Sequence, residues 1–434
     1  MPVTTKGHDQ IRRGNLIRAV VASAIGTSIE WYDFFLYGAA AALVFPSKFF
    51  PRSDPYTGTL LAFSTYFVGF AARPVGAAIF GHFGDRVGRK TSLIATLLLM
   101  GLSTAAVGLV PGYDRIGVWG AVLLTLARAL QGIGVGGEWG GSVLMAAEWG
   151  DRSRRGFLTS WTQFAAPAGM VLANGALGLM TYVSGPAFPV WGWRVPFLLS
   201  LGLVGIGFYI RTGILETPVF ARLREQGRIE RTPVVEVLRR NWREVVLTAL
   251  VRTGQQTPFY IFTTYVLTYA TQVLGLPQSL VLEFVMIQAL VSLVTIPLFG
   301  YLSDLAGRRR ITAIGCAVMM VFPFAYFRLL DSRQLALVFM AIILGLPMQD
   351  LQYGPQAALI AESFPGRLRY SGSSLGYQLA SLTAGGPAPL VALWLFERYR
   401  SSFAVAAYVS LSAVVSLAAL WLLPDRSSRD LEAD

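Results

Sequence analysis

Glu30, Asp33 and Tyr37 fall at i, i+3 and i+7 in an otherwise apolar stretch. That spacing puts two acids and a phenol on one face of a helix. Arg73, Arg128, Glu138 and Arg252 also lie inside long apolar runs, with Arg18, Arg194, Glu283 and Asp350 nearer expected span ends or left without an assigned face. A charge at the bilayer centre costs about 2.5–3.5 kcal/mol on insertion scales, so a span keeps one only where it faces protein or a wet cavity. A carboxylate beside a guanidinium stays ionised, and its proton affinity rises when the cation is drawn away. An anionic solute that competes for the arginine would thereby load a proton. Asp33, Glu30 and Glu138 are the expected proton-coupling acids, and Arg128 is the expected partner of Asp33. A permanent salt bridge that orients helices is the alternative.

Arg252 begins a second polar stretch that includes Gln255, Gln256, Thr257, Tyr260, Thr263 and Thr264. This is too polar for a lipid-facing helix and reads as a cavity wall, with Pro258 permitting a bend. Arg128, Arg73, Tyr37, Arg252, Gln255, Gln256 and Tyr260 form the expected substrate-binding set. The glycines from Gly132 to Gly141 suit close helix packing, which accounts for them but not for Glu138. Other chemistries lack their residues. No Gly-x-x-x-x-Gly-Lys-Ser/Thr loop is present. Two histidines, His8 and His82, and the single Cys316 make a zinc site implausible. No catalytic, metal or cofactor site is expected, and the chain is not expected to be an enzyme.

Such charges must be carried by membrane-spanning helices. The chain has 434 residues, 54% hydrophobic and 14% charged, with mean hydropathy +0.54. Soluble domains carry roughly 25% charge. The apolar runs are long and do not alternate with period two, so the expected fold is an all-α integral membrane protein. Twelve spans are expected, near 17–45, 58–81, 91–110, 118–146, 157–182, 190–213, 244–273, 279–302, 311–331, 333–363, 368–397 and 403–423. The net charge is +12, but the basic residues cluster in short loops, which argues against nucleic acid. Counted by loop side, about 24 Lys and Arg face about 7, which places both termini in the cytoplasm. The first run is too long and too charged for a cleaved signal peptide, so it is expected to be retained.

A motif occurs twice. Gly81, Asp85, Gly88 and Arg89 recur as Gly300, Asp304, Gly307 and Arg308, each 219 residues on. Arg86 and Lys90 add charge to the first loop, and Arg309 to the second. Glu148 and Arg155 recur as Glu362 and Arg369, each 214 residues on. A repeat of half the chain predicts two related bundles: residues 1–213, a polar linker at 214–243, and residues 244–434. Gly81 and Gly300 suit a close approach of helices, while Asp85 and Asp304 suit a helix N-terminus or a neighbouring arginine. The loops are expected to act as a conformational latch.

These loops resemble the signature of the major facilitator superfamily, and Arg128-Ala129-Leu130-Gln131-Gly132 resembles its fourth-span motif. Glu30 to Gly38, Gly134 to Gly141, Tyr353 to Gln356 and Arg369 to Gln378 resemble the metabolite:H+ symporter family. The resemblance implies twelve transmembrane helices in two six-helix bundles. It implies a symporter importing a small organic acid or zwitterion with protons by alternating access, in a bacterial-type cytoplasmic membrane. The protein is expected to act as a monomer, with metabolite, protons and lipid as its only partners. A facilitator or proton-coupled exporter of the same fold is the alternative, and a non-transporting metabolite receptor a more distant one.

Overall fold

The computed structural model describes residues 5–53 and 55–426. The side chains of Lys6, His8, Arg12 and Arg13, and all of Arg429, lie outside the described residues. Among the described residues there is no strand, and twelve long helical segments run in chain order. The first six are α1 (Thr5–Leu43), α2 (Pro55–Arg86), α3 (Arg89–Leu109), α4 (Trp119–Trp149), α5 (Arg155–Ser184) and α6 (Arg194–Thr212). Then come α7 (Trp242–Tyr260), α8 (Gln278–Ala306), α9 (Arg308–Asp331), α10 (Leu335–Glu362), α11 (Arg369–Ala380) and α12 (Ser402–Leu422). Beyond Pro258, α7 widens into π-type turns at Ile261–Tyr265 and Tyr269–Val273. Likewise α11 passes through a wide turn at Ser381–Gly385 into Ala388–Tyr399. Two short helices, Pro218–Glu225 and Pro233–Arg240, occupy the polar stretch between α6 and α7.

Nine of the described helical stretches are apolar and long enough to cross a membrane on composition alone. The other three segments, α1, α2 and α7, hold Glu30 and Asp33, Arg73, and Arg252. Those charges are all buried. Bundle packing shields them from lipid, which is what lets such helices span.

The two halves pack alike. α2 lies on α4, α3 on α4 and α3 on α6, while α8 lies on α10, α9 on α10 and α9 on α12. Between halves, the fifth helix of each meets the second of the other: α5 against α8, and α11 against α2. Glycine marks both seams. A Cβ on Gly81 would stand 2.8 Å from Ser371 Cα, and one on Gly300 would stand 2.5 Å from Ser160 Cβ. Real atoms do not approach so closely, so any side chain there would push the halves apart.

Reporter domains fused after Asp85 and after Asp304 are therefore expected to report the same side of the membrane. Opposite sides would contradict the paired architecture.

Candidate functional site

The centre of the molecule gathers the intramembrane charges. Glu30 and Asp33 on α1, Arg73 on α2 and Arg128 on α4 are each 5% exposed or less. The Arg128 guanidinium carbon lies 4.3 Å from the ring centre of Tyr37, 4.8 Å from Tyr66 and 5.2 Å from Phe34. Arg73 lies 4.7 Å from Phe34 and 4.6 Å from Phe70. Ring faces attract these cations. They do not use up the N–H donors, and Nε of each arginine has no hydrogen-bond partner. Tyr37 is held from behind by Thr65, 2.8 Å from its hydroxyl.

The expected direct pair between Asp33 and Arg128 is corrected by the geometry. Asp33 Oδ2 accepts from the Thr104 hydroxyl at 2.7 Å. Gln131 Nε2 donates to Thr104 Oγ1 at 2.6 Å, and Arg128 Nη1 donates to Gln131 Oε1 at 3.2 Å. Two neutral side chains therefore stand between acid and cation. The other carboxylate oxygen of Asp33, and Oε2 of Glu30, have no partner.

Glu138 differs from both. It is ion-paired to Arg211 and accepts from Thr96 at 2.9 Å and from Ser142 at 2.8 Å. Arg211 is 1% exposed and also donates to the Leu93 carbonyl. A carboxylate so fully engaged orients α3, α4 and α6.

The second half supplies a polar wall from α7. Arg252 donates to Gln356 at 3.0 Å, to Gln255 at 3.3 Å and to the Tyr377 carbonyl at 3.2 Å. Its guanidinium lies 3.1 Å from the centre of the Tyr377 ring, which itself stacks 3.5 Å from Trp139 of the first half. Gln256 and Tyr260 are buried, yet neither amide atom of Gln256 nor the Tyr260 hydroxyl is partnered. Tyr260 packs on Phe70 and Phe34 across the seam. Unpartnered buried donors and acceptors are costly. A set of them beside two arginines with free donors is the chemistry that a carboxylate ligand satisfies.

At the basic end, the repeated loops tie the halves together. α11 and α5 begin after Leu368 and Arg154, neither of which caps its helix with a side chain. The missing acceptors come from the opposite half. Asp85 accepts from the Tyr370 and Ser371 backbone amides at 3.2 and 2.9 Å. Asp304 accepts from Gly156 and Phe157, each at 2.8 Å. Each aspartate thus sits at the positive end of a helix dipole. Around the first, Arg89 reaches Asp85 at 3.3 Å and Glu148 at 3.5 Å, and Arg369 reaches Glu148 at 3.2 Å. Around the second, Arg308 reaches Asp304 and Glu362, each at 3.2 Å, and Arg155 reaches Glu362 at 2.8 Å. Gly88 and Gly307 turn the chain at φ +128° and +96°.

Not every loop charge joins this network. Arg86 contacts His82, Lys90 donates to the Thr212 carbonyl, and Arg309 to the Trp421 carbonyl. Glu216, from the segment after α6, accepts from the Arg89 and Lys90 amides at 3.1 and 3.2 Å and so caps α3. Burial holds its carboxyl above the ordinary range. Its neighbour Thr217 donates to Glu148 at 2.6 Å. None of Thr104, Gln131, Phe34, Tyr66 and Glu216 was given a site role from the sequence. Only the Arg-x-x-Gln spacing, which sets Gln131 one turn from Arg128, offered a signal for any of them.

A hydrogen bond to a charged acceptor contributes about 1.5–3 kcal/mol. Asp85→Asn is therefore expected to open the basic end by roughly ten- to hundredfold, and Asp304→Asn to do the same. A cysteine placed at Ser374, buried one turn inside the latch, would report this as faster alkylation. An unchanged rate in both variants would show that the caps do not hold the halves together.

Comparison with known proteins agrees with this architecture. The Major Facilitator Superfamily profile matches residues 23–387. The chain is 41% identical to the Escherichia coli inner membrane metabolite transport protein YhjE, covering 99% of each. It is 37% identical to the E. coli shikimate transporter over 94% of each, and 32% identical to the E. coli proline/betaine transporter over 99% of this chain and 88% of that one. The solved proton:xylose symporter XylE superposes with a TM-score of 0.79 at 16% identity, covering 97% of this chain and 98% of that one, and so shares the fold. With two mirrored six-helix halves, polar groups buried at their centre and this match along the chain, the protein belongs to the Major Facilitator Superfamily and is a membrane-spanning transporter, not an enzyme.

Proposed function

We propose that this chain is a proton-coupled symporter that imports a small organic acid or zwitterionic metabolite by alternating access. The observation that carries the reading is the central pair of arginines, Arg73 and Arg128, whose charge no buried acid neutralises by direct contact. A substrate carboxylate supplies the missing anion. Arg128 offers Nε and a guanidinium plane, Arg73 a second cation, and Tyr260 and Gln256 unsatisfied polar groups from the other half. Closing both halves on the ligand brings all four to it. Metabolite and shikimate transport by relatives of similar length supports the substrate class.

Coupling follows from the relay. While Arg128 leans on Gln131, the chain through Thr104 to Asp33 favours the Asp33 anion. A substrate carboxylate draws Arg128 away, the relay slackens, and Asp33 takes a proton. Glu30 is the second acid within the same face. Glu138, fully paired, is kept as a structural anchor. The units are the bundles 1–213 and 244–434, joined by 214–243. The latch end faces the cytoplasm with both termini, and one copy suffices.

A thermal-shift screen of the purified protein against carboxylic acids, proline and betaines is expected to show stabilisation by one ligand class. Arg128→Lys keeps the charge but loses the planar fork, so it is expected to weaken that binding by tenfold or more. In proteoliposomes, Asp33→Asn is expected to abolish proton-driven accumulation while substrate exchange continues. Accumulation that survives Asp33→Asn would remove Asp33 from the coupling route.

A further inference from the structure

Asp350 stands on α10 with no exposed surface, and the coupling route above does not use it. Ser292 and Thr295 of α8 donate to its Oδ2 at 2.7 and 2.5 Å. Its Oδ1 has no hydrogen-bond partner. Gln288, one turn before Ser292, is also fully buried, with neither amide atom partnered. Among the described residues, no cation pairs with this acid. Arg252 on α7 spends its donors on Gln255, Gln356 and the Tyr377 carbonyl. Arg155 of α5 and Arg308 of α9 pair with Glu362, three turns further along α10. Besides Arg308, the buried titratable groups of α9 are Cys316 and Tyr326, neither of them a carboxylate or a cation, and Glu283 of α8 is exposed.

An ionised carboxylate in such a seat would be an uncompensated buried charge, which costs several kcal/mol. A carboxylic acid fits it. Its O–H on Oδ1 is a donor, and Gln288, one turn from Ser292 on the same helix, holds an unused acceptor. The seat also lies in the seam between α8 and α10, the two helices on which α5 of the other half rests. We infer that Asp350 is a second proton-binding site, in the C-terminal half, whose proton is exchanged as α5 shifts against α8 and α10. The proton comes from water, forms the Oδ1–H bond and returns to water; no other bond changes. This inference rests on the proton-symport reading.

The test uses the full-length protein in bilayers and two readouts. In the infrared, the wild type is expected to show a deuterium-sensitive carbonyl band of a protonated carboxylic acid that Asp350→Asn lacks. Ser292→Ala, which keeps the acid but removes one donor, shifts that band, and it decides the question if Asp350→Asn is lost on purification. In transport, the probes are radiolabelled shikimate, proline and glycine betaine, using whichever the wild type concentrates. Loss of one coupled proton lowers accumulation in Asp350→Asn about tenfold per unit of imposed pH gradient. Identical infrared bands in wild type and variants, undiminished accumulation, or a requirement for a sodium gradient would overturn the assignment. If the wild type concentrates none of the probes, the symport reading fails instead, and the infrared band still decides whether Asp350 holds a proton.

Discussion

Each half of this transporter finishes a helix that belongs to the other. α5 and α11 start without a capping side chain, and their free backbone amides are met by Asp304 and Asp85 from across the seam. A helix N-terminus buried without acceptors is costly, and an aspartate there also meets the positive end of the dipole. The caps therefore form only when the halves close at the basic end. They are lost together when the halves part, because the two are related by the repeat. Arg89 and Arg308 keep the aspartates aimed, and Glu148 and Glu362 link them to Arg369 and Arg155.

The centre obeys a different constraint. Burying charge in a membrane is tolerated where partners or ligand complete it. Glu138 and Arg211 complete each other and give a rigid anchor. Arg73, Arg128, Glu30 and Asp33 are left incomplete, held by rings, by Gln131 and by Thr104. The two kinds of site share α4, where Arg128 and Glu138 stand about three turns apart. What separates fixed structure from working chemistry here is how many partners each charge has, not the kind of residue.

Much of this was legible in the residues. The repeat of the loop motif foretold two like halves, and the Gly81 and Gly300 positions foretold where helices would touch. Intramembrane charges marked the centre. Their partners were not legible, because a side chain 71 residues away, as Thr104 is from Asp33, is chosen by which helices pack. The expected direct pairing of Asp33 with Arg128 missed the two neutral residues between them. Arg211, near the end of an expected span, folds inward to Glu138. Asp350 belongs to none of the expected sites, yet it is fully buried within α10, which runs unbroken from Leu335 to Glu362.

The central claim is that reciprocal capping holds the basic end closed and that its release opens a path to the central charges. Spin labels at Arg86 and Arg310, exposed in opposite halves, measure that end directly, and the lone native Cys316 is buried out of reach of labelling. The distance between them in bilayers should fall in one short population for the wild type and move to a longer one in the Asp85→Asn, Asp304→Asn double variant. A distribution unchanged by removing both charges would contradict the account.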